Sequence, residues 1–309
     1  AVFGAGMAGV SAAVAAAKRG AEVLLVERFA ALGGVGVTGG VHGFCGNTIG
    51  QGEVFDEIVA GLEAFSAIAP VNPYKSERGY HHEILAVVLQ EICLKYGVKL
   101  LLHTRLADVI AADGHIEYCV ISGASGLLAV TAKQYIDCTG EGLVARYAGF
   151  GTMKGDESCP YQLPMSMMFF VQKVSENKAY NQIPEGWFEP IDPEAPPMLS
   201  VRDRSPLPSS VKLKVPMFDS TDTESLTNAE IAGRRRMMAS VDYYQRVKKE
   251  PFIFESCSPI IGIREGSRIK GDYILNVDDL RGGRIFDDVI AVGTFYLDGH
   301  KPDDDKRTY

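Results

Sequence analysis

Residues 2–27 read VFGAGMAGVSAAVAAAKRGAEVLLVE, a short apolar run followed by Gly4, Gly6 and Gly9 and then by small helix-forming residues. In a strand–turn–helix of this kind the first glycine allows the sharp turn, and the second lets the backbone approach a diphosphate. The third glycine lets the helix pack closely on the strand. The first amides of that helix then favour the negative charge of a diphosphate.

A second strand completes this motif. The helix meets Gly20, a residue suited to a C-terminal cap, and residues 21–27 read AEVLLVE, a β-rich run. Glu27 therefore falls at the carboxyl end of a second parallel strand, where an acid can accept hydrogen bonds from the ribose hydroxyls of an adenosine. Because all parts of the motif follow in order, the stretch predicts a Rossmann-like dinucleotide-binding unit rather than only a tight turn.

The next stretch, residues 27–50, reads ERFAALGGVGVTGGVHGFCGNTIG and is unusually rich in glycine. NAD enzymes usually run straight from the acid into the next helix, whereas a long glycine-rich loop indicates backbone packed against a large flat ligand. A surface loop is the alternative, but so many glycines carry a high conformational entropy when no ligand orders them. The loop therefore indicates a large flat ligand packed against its backbone.

Three further elements follow in the N-terminal half. Residues 81–97, HHEILAVVLQEICLKYG, carry apolar residues at helical spacing and end at a glycine. Residues 98–109, VKLLLHTRLADV, predict a strand. Turns at Asp113-Gly114 and at residues 123–126 then predict a β-meander, which leads into one more buried strand before IDCTGEG.

This order of elements, with Glu27-Arg28 and the Gly33-Gly34 pair, resembles the FAD-binding flavoproteins of the glutathione-reductase-like class. The resemblance implies that Leu106 offers its backbone to the adenine and that Thr139 and Gly140 close over the adenosine. Glu141 stands where the class commonly has Asp. The FAD-binding residues that it implies are Gly4, Ala5, Gly6, Met7, Ala8, Gly9, Glu27, Arg28, Gly33, Gly34, Thr38, Gly39, Leu106, Thr139 and Gly140.

From residue 151 the composition changes, because prolines crowd a stretch that also holds the apolar run SMMFFV. We interpret this run as a core strand, and we predict a helix over about residues 228–249. The predicted fold is α/β, with a Rossmann-like FAD-binding domain carrying a β-meander over residues 1–151. Residues 152–309 form a second, α+β substrate or cap domain, whose end, about residues 289–309, returns toward the FAD domain.

Residues 260–300 read IIGIREGSRIKGDYILNVDDLRGGRIFDDVIAVGTFYLDGH. They resemble the FAD-dependent oxidoreductase domain family, relatives of the fumarate reductase and aspartate oxidase flavoproteins, in an R-x3-R, a G-x-Y-x-L and a closing D-x-H. In that class a glycine-rich helix normally follows and meets the flavin ring, and it does not occur within these 309 residues. The covalent-flavin histidine of the fumarate reductase relatives has no counterpart in LGGVGVTGG, so we expect FAD to be bound non-covalently.

Three residues are our candidates for catalysis. His42 lies in the loop expected along the flavin and His300 closes the D-x-H, and an imidazole titrates near neutral pH, as an acid or base catalyst requires. Arg264 can clamp a carboxylate in bidentate fashion. Each also has a purely structural explanation, and Tyr80, His81 and His82 are interpreted as a polar helix entrance.

The predicted function is flavin-mediated hydride transfer on an unidentified small, possibly anionic, organic substrate. An NAD-dependent dehydrogenase and a non-catalytic nucleotide-binding module are the two alternatives that remain open. Nothing in the sequence addresses the oligomeric state or the electron acceptor.

Composition excludes several other classes. A net charge of −8 argues against a nucleic-acid partner, and the basic residues 234–236 fit the polar face of a helix. The six cysteines are scattered without metal-ligand spacing, so we expect no metal site, reduced thiols and a cytoplasmic location. No apolar run reaches the roughly 18 residues of a membrane span.

Overall fold

The structure is a computed structural model that describes residues 1–72, 77–155, 158–176, 181–194, 199–204, 207–289, 291, 293 and 301–303. For residues 199–204 and 207–208 it describes the backbone only. The elements below are those of this described part of the chain.

Strands and helices alternate in the N-terminal half, and longer strands follow in the second half. The strands are β1 (Val2–Phe3), β2 (Leu24–Val26), β3 (Gly43–Phe44), β4 (Arg78–Gly79), β5 (Lys99–Leu101), β6 (Arg105–Ala112), β7 (His115–Gly123), β8 (Gly126–Val130), β9 (Ile136–Asp137), β10 (Thr152–Met153), β11 (Met165–Lys173), β12 (Leu199–Arg204), β13 (Leu207–Val215), β14 (Phe252–Cys257) and β15 (Arg268–Ile269). The helices are α1 (Met7–Lys18), α2 (Glu53–Ala64), α3 (His82–Lys95), α4 (Leu143–Tyr147), α5 (Thr223–Arg246) and α6 (Val277–Gly282), with a 3₁₀ turn at Gly34–Gly36.

A parallel sheet in the order β5-β2-β1-β9 organises the N-terminal half. Successive residues of its strands point to opposite faces, so each face has its own apolar core. Val2 and Leu25 belong to the core on the side of α1, α2 and α3, whereas Phe3 and Val26 pack toward the meander. This arrangement confirms the Rossmann-like prediction and places the ends of β1, β2 and β9 side by side.

The predicted meander is also confirmed, because β6, β7 and β8 form an antiparallel sheet in sequence order. Asp113 (φ 49°) and Gly114 (φ 77°) make the left-handed turn between the first two strands. Two consecutive residues with positive φ match the twist of the flanking strands.

A second sheet, antiparallel and in the order β12-β13-β11-β14, forms the core of the later half together with α5. The run SMMFFV lies in β11, as predicted. Helix α5 begins earlier than the predicted residue 228, because Asp222 caps it by accepting a 2.7 Å hydrogen bond from the amide of Ser225. This half therefore has the predicted α+β composition, and its role in substrate binding remains a prediction.

After β14 the chain makes two further pairings. Gly262 pairs with Ser166 of β11, and β15 then pairs with β10. Most of the predicted return over residues 289–309 lies outside the described residues. Within them, the carbonyl of Pro302 accepts a 3.1 Å hydrogen bond from the amide of Met217, just after β13.

Candidate functional site

A groove of about 260 Å³ opens where the carboxyl ends of β1, β2 and β9 meet, and we call it the strand-end groove. Its walls come from the glycine turn, the acid of the second strand, the meander and a distant segment near residue 261. The lining residues are Phe3, Gly4, Gly6, Met7, Ala8, Val26, Glu27, Arg28, Phe29, Gly34, Val35, Thr104, Arg105, Leu106, Cys138, Thr139, Gly140, Leu143, Ile260, Ile261 and Ile263. Crevices at the carboxyl ends of parallel strands are where open α/β sheets bind their ligands.

The three glycines of the first turn have different reasons to lack a side chain. A Cβ on Gly4, whose φ is 86°, would lie 2.3 Å from the carbonyl oxygen of Cys138, and one on Gly9 would lie 1.8 Å from that of Gly4. Gly6 has an ordinary φ of −64°, and a Cβ there would meet no protein atom within 4 Å. Gly4 and Gly9 are thus required by the fold, whereas the space in front of Gly6 is free for a ligand.

Glu27 is buried at the end of β2, with a relative exposure of 4%. Its Oε2 accepts a 2.7 Å hydrogen bond from the amide of Ala5, and its Oε1 accepts a 2.9 Å bond from the amide of Phe29. A carboxylate offers about four lone-pair sites, so both oxygens can still accept bonds from a ligand in the groove. The acid therefore holds the turn as well as facing the groove.

The predicted cofactor-binding residues divide into two groups in the structure. Those that line the strand-end groove are Gly4, Gly6, Met7, Ala8, Glu27, Arg28, Gly34, Leu106, Thr139 and Gly140. Those that are not part of its lining are Ala5, Gly9, Gly33, Thr38 and Gly39. Within the second group, the amide of Gly33 donates a 2.7 Å bond to the carbonyl of Ala5, and the hydroxyl of Thr38 donates to the carbonyl of Gly34 in the first group.

Charged groups also meet at the mouth of the groove. A guanidinium nitrogen of Arg28 lies 3.5 Å from a carboxylate oxygen of Glu141, which links the end of β2 to the turn after β9. The hydroxyl of Thr139 donates to the carboxylate of Asp137 and accepts from the amide of Leu143. The Thr139 side chain thus anchors the start of α4. Its hydroxyl is already hydrogen-bonded within the protein, and Thr139 lines the groove because of its position after β9.

Sequence reasoning missed the isoleucines at 260, 261 and 263, which form one wall of the groove although they lie far along the chain. The apolar run at residues 260–263 was visible in the sequence, but no local pattern indicates what such a run packs against. Phe29 and Arg105 were missed as well, and each adjoins a residue or element that was predicted.

The glycine-rich loop connects the groove to the second sheet. It leaves the groove at Gly34 and Val35 and reaches β11 at Gly40, where a Cβ would lie 3.1 Å from the Cβ of Met168. His42 follows, buried to 2% exposure and with a positive φ of 35°. A non-glycine residue in this left-handed region is uncommon and is frequently found at functional sites.

His42 contributes to a second, smaller cavity of about 100 Å³ between the N-terminal unit and the second sheet, which we call the imidazole pocket. Its lining residues are His42, Tyr80, His81, His82, Glu83, Phe170, Glu255 and Ser256. The rings of His42 and His82 have centroids 6.3 Å apart, and His82 stacks on Phe170 at 5.0 Å and 8°. Burial lowers the pKa of His82, and this effect is larger than the rise in pKa that the nearby Glu83 carboxylate causes. The sequence interpretation of His82 as a mere helix entrance therefore missed its contact with the second sheet.

Arg264, a second catalytic candidate, lies elsewhere. Arg264 is half-buried, with its Nη1 atom enclosed, and it lines neither the strand-end groove nor the imidazole pocket as the described residues define them. His300 lies outside the described residues. Among the described residues, His42 and Arg264 therefore line no common cavity.

Two further searches of the described residues bear on function. They contain no group of three or more His, Cys, Asp or Glu side chains arranged to hold a metal ion. Among the same residues, no helix has both the length and the apolarity needed to cross a membrane.

A parallel sheet with a glycine turn, a buried acid and an open groove at the strand ends defines a dinucleotide-binding α/β protein. A profile of the family described as FAD dependent oxidoreductase matches residues 1–309, and the chain belongs to that family. This result confirms the resemblance that the sequence motifs indicated. It also identifies FAD as the cofactor, in preference to the NAD alternative.

Two curated relatives and one solved structure show how far similarity extends. Thiamine thiazole synthase of Pyrococcus horikoshii is 30% identical over 170 residues, which cover 50% of this chain and 61% of that protein. The enzyme of the same name from Pyrococcus abyssi is 29% identical over 181 residues, which cover 51% and 67%. A geranylgeranyl bacteriochlorophyll reductase-like protein from Thermoplasma acidophilum is 16% identical, with a TM-score of 0.49 and coverage of 84% of this chain and 64% of that one. The chain thus spans less than two thirds of the P. horikoshii relative.

Proposed function

We propose that this protein is an oxidoreductase that binds FAD non-covalently and exchanges a hydride with a small organic anion. The observation that carries the proposal is the open space at Gly6, where a Cβ would meet nothing within 4 Å. Since neither backbone conformation nor protein packing requires glycine there, a bound diphosphate is the physical reason for it. Family membership supports FAD as the ligand.

The residues of the strand-end groove have distinct tasks in this proposal. Gly6, Met7 and Ala8, at the start of α1, present amides to the diphosphate, where the helix dipole favours negative charge. Glu27 accepts hydrogen bonds from the ribose hydroxyls. The groove volume of about 260 Å³ lies below the ~300–1,000 Å³ of typical small-molecule sites, so it suits the adenosine half rather than the whole dinucleotide.

When bound, the flavin supplies hydride exchange, and the protein has to orient the substrate and handle a proton. Oxidation of an alcohol or amine releases a proton from the heteroatom together with the hydride from carbon. His42 is our candidate to take this proton, because it follows the loop that runs from the groove and lies in the imidazole pocket. His82 shares the pocket, and its lowered pKa favours the neutral ring that a base requires.

The test compares the wild type with Gly6→Val. We expect the wild type to retain stoichiometric flavin after gel filtration, and its flavin to be photoreduced and then reoxidised by an added acceptor. Gly6→Val should fold with an unchanged melting temperature and be colourless, because the valine side chain enters the diphosphate space.

Gly282→Val is the matched control, since Gly282 likewise has no atom within 4 Å of a Cβ and lies at the end of α6, outside the strand-end groove. This control should remain yellow. Full flavin content in Gly6→Val would overturn the assignment of the groove. A wild type that binds flavin but cannot pass electrons to any acceptor would support the non-catalytic alternative instead.

A further inference from the structure

The two faces of the second sheet differ in character. Odd-numbered residues of β11 and β13, such as Met167, Phe169 and Leu213, pack in the apolar core beneath α5. Even-numbered residues point to the opposite side, because side chains alternate along a strand. The register pairs Ser166 with Lys214, Met168 with Lys212 and Phe170 with Ser210. We call these six residues the polar sheet face.

This face is buried although it is polar. Ser166 is 4% exposed, Ser210 is 1% exposed and Lys214 is 7% exposed. The hydroxyl oxygens of Ser166 and Ser210 are enclosed and make no hydrogen bond. Buried hydroxyls normally have hydrogen-bond partners, so these two hydroxyls need an explanation beyond packing.

Arg264 lies close along the chain to the residue that pairs with Ser166. Gly262 pairs directly with Ser166, and the residues flanking it, Ile261 and Ile263, both pack in the core beneath α5. Gly262 therefore lies against the Ser166 end of the polar sheet face, and Arg264 follows it by two residues. The arginine that the sequence singled out is therefore near the end of the face that carries Lys214.

The polar sheet face looks toward the N-terminal unit. Gly40, in the loop from the strand-end groove, packs against Met168, and Phe170 lies against the rings of His42 and His82. One end of the face therefore adjoins the imidazole pocket. The other end, with Ser166 and Lys214 and with Arg264 nearby, carries the positive charge.

We propose that Lys214 and Ser166, with Arg264 beside them, bind the anionic group of an organic substrate against the polar sheet face. The ammonium and guanidinium groups supply charge-assisted hydrogen bonds, and the Ser166 hydroxyl, which has no other partner, supplies a further donor. The inference rests on the proposed function, since it names the class of substrate that the oxidoreductase takes. It places the specificity of the enzyme on the second sheet rather than in the strand-end groove.

The experiment measures anion binding by the FAD-loaded protein. Succinate and inorganic phosphate are the probes, and uncharged succinamide is the comparison compound. Binding is followed by calorimetry and by the change in the visible absorbance of the flavin. We expect saturable binding of succinate, of phosphate or of both, and no binding of succinamide; the stronger of the two anions distinguishes carboxylate from phosphate recognition.

Two variants test the residues. Lys214→Met should weaken anion binding about tenfold or more, the scale of one lost hydrogen bond to a charged group. Ser166→Ala should also weaken it while leaving the melting temperature unchanged or higher, because it removes a buried hydroxyl without a partner. This second variant keeps the test decisive if Lys214→Met does not fold. Lys173→Met, an exposed lysine of β11 on the opposite face, is the matched control and should bind as the wild type does.

Wild-type protein that binds neither anion would overturn the inference. Wild-type affinity in both Lys214→Met and Ser166→Ala would do the same. An error in the proposed function can be told apart from an error in this inference, because calorimetry detects anion binding whether or not flavin is retained. Anion binding by a protein that does not bind FAD would contradict the proposed function. FAD binding without anion binding would contradict only the present inference.

Discussion

The carboxylate of Glu27 accepts a 2.7 Å hydrogen bond from the amide of Ala5, so the acid that ends β2 holds the glycine turn that follows β1. Two parts of the dinucleotide motif that are far apart in sequence are therefore one structural unit. The bond fixes the backbone of the turn from which Gly6 faces the groove. It also means that Glu27 has a structural role in addition to any contact with ribose.

Replacement of Glu27 by alanine should therefore reduce both stability and flavin retention. The amides of Ala5 and Phe29 would lose their acceptor, and a buried unpaired donor costs about 1–3 kcal/mol. Urea unfolding should show a loss on this scale, and gel filtration should show loss of flavin from the folded fraction. Glu22→Ala is the control, since Glu22 is an exposed acid just before β2 that pairs with Lys99. Wild-type stability and flavin content in Glu27→Ala would contradict both roles.

Tyr80 should stabilise the glycine-rich loop. Its side chain is buried, and its hydroxyl donates a 3.1 Å hydrogen bond to the carbonyl of Gly36. Tyr80→Phe should lower the free energy of unfolding by about 0.5–1.5 kcal/mol, the usual net contribution of one hydrogen bond, and should weaken flavin binding. Chemical denaturation and flavin titration measure these effects. Tyr118→Phe, on the meander, should change neither, and an identical result for both variants would argue against the loop contact.

His82 should make the protein sensitive to mild acid. Burial lowers its pKa in the folded state. The His82 side chain of the unfolded protein therefore binds a proton near pH 6.5, whereas that of the folded protein binds one only at lower pH. The stability that depends on the neutral His82 ring is present above pH 6.5 and is lost as the pH falls below it. The other titratable groups of its pocket are Glu83 on α3, His81 at the N-cap of α3, Tyr80 after β4, His42 on the loop and Glu255 on β14.

Melting temperatures at pH 7.5 and 5.5 test this expectation. The decrease between the two should be smaller in His82→Gln than in the wild type. His115→Gln, at an exposed histidine in the hairpin between β6 and β7, should behave as the wild type. An equal decrease in all three proteins would show that another group causes the acid sensitivity.

The cysteines should differ sharply in reactivity. Burial raises the pKa of the Cys93 thiol to about 12 and that of Cys119 to about 11, whereas Cys45 is exposed. Iodoacetamide at pH 8 should therefore label Cys45 first and reach Cys93 only after unfolding, as peptide mass spectrometry can show. The stability contributed by the protonated Cys93 is complete below pH 9.0, the ordinary pKa, and is lost as the pH rises toward 12. Rapid labelling of native Cys93 would contradict its burial.

Much of the N-terminal unit could be predicted because its signals are local. The strand, the glycines, the helix and the acid of residues 2–27 each follow from short-range periodicity and backbone preference, and the meander follows from its turns. The resemblance then led to the family, which the match over residues 1–309 confirms.

What the sequence determined by itself was the identity of these elements, because each depends on residues only a few positions apart. Only the tertiary structure decided which elements meet. It brought Ile261 and Gly6 to the same groove, stacked His82 on Phe170, and paired Ser166 with both Lys214 and Gly262. The alternation of Ser210, Lys212 and Lys214 with apolar residues was visible in SVKLKV, but which face looks toward the N-terminal unit depends on long-range pairing that no local pattern contains.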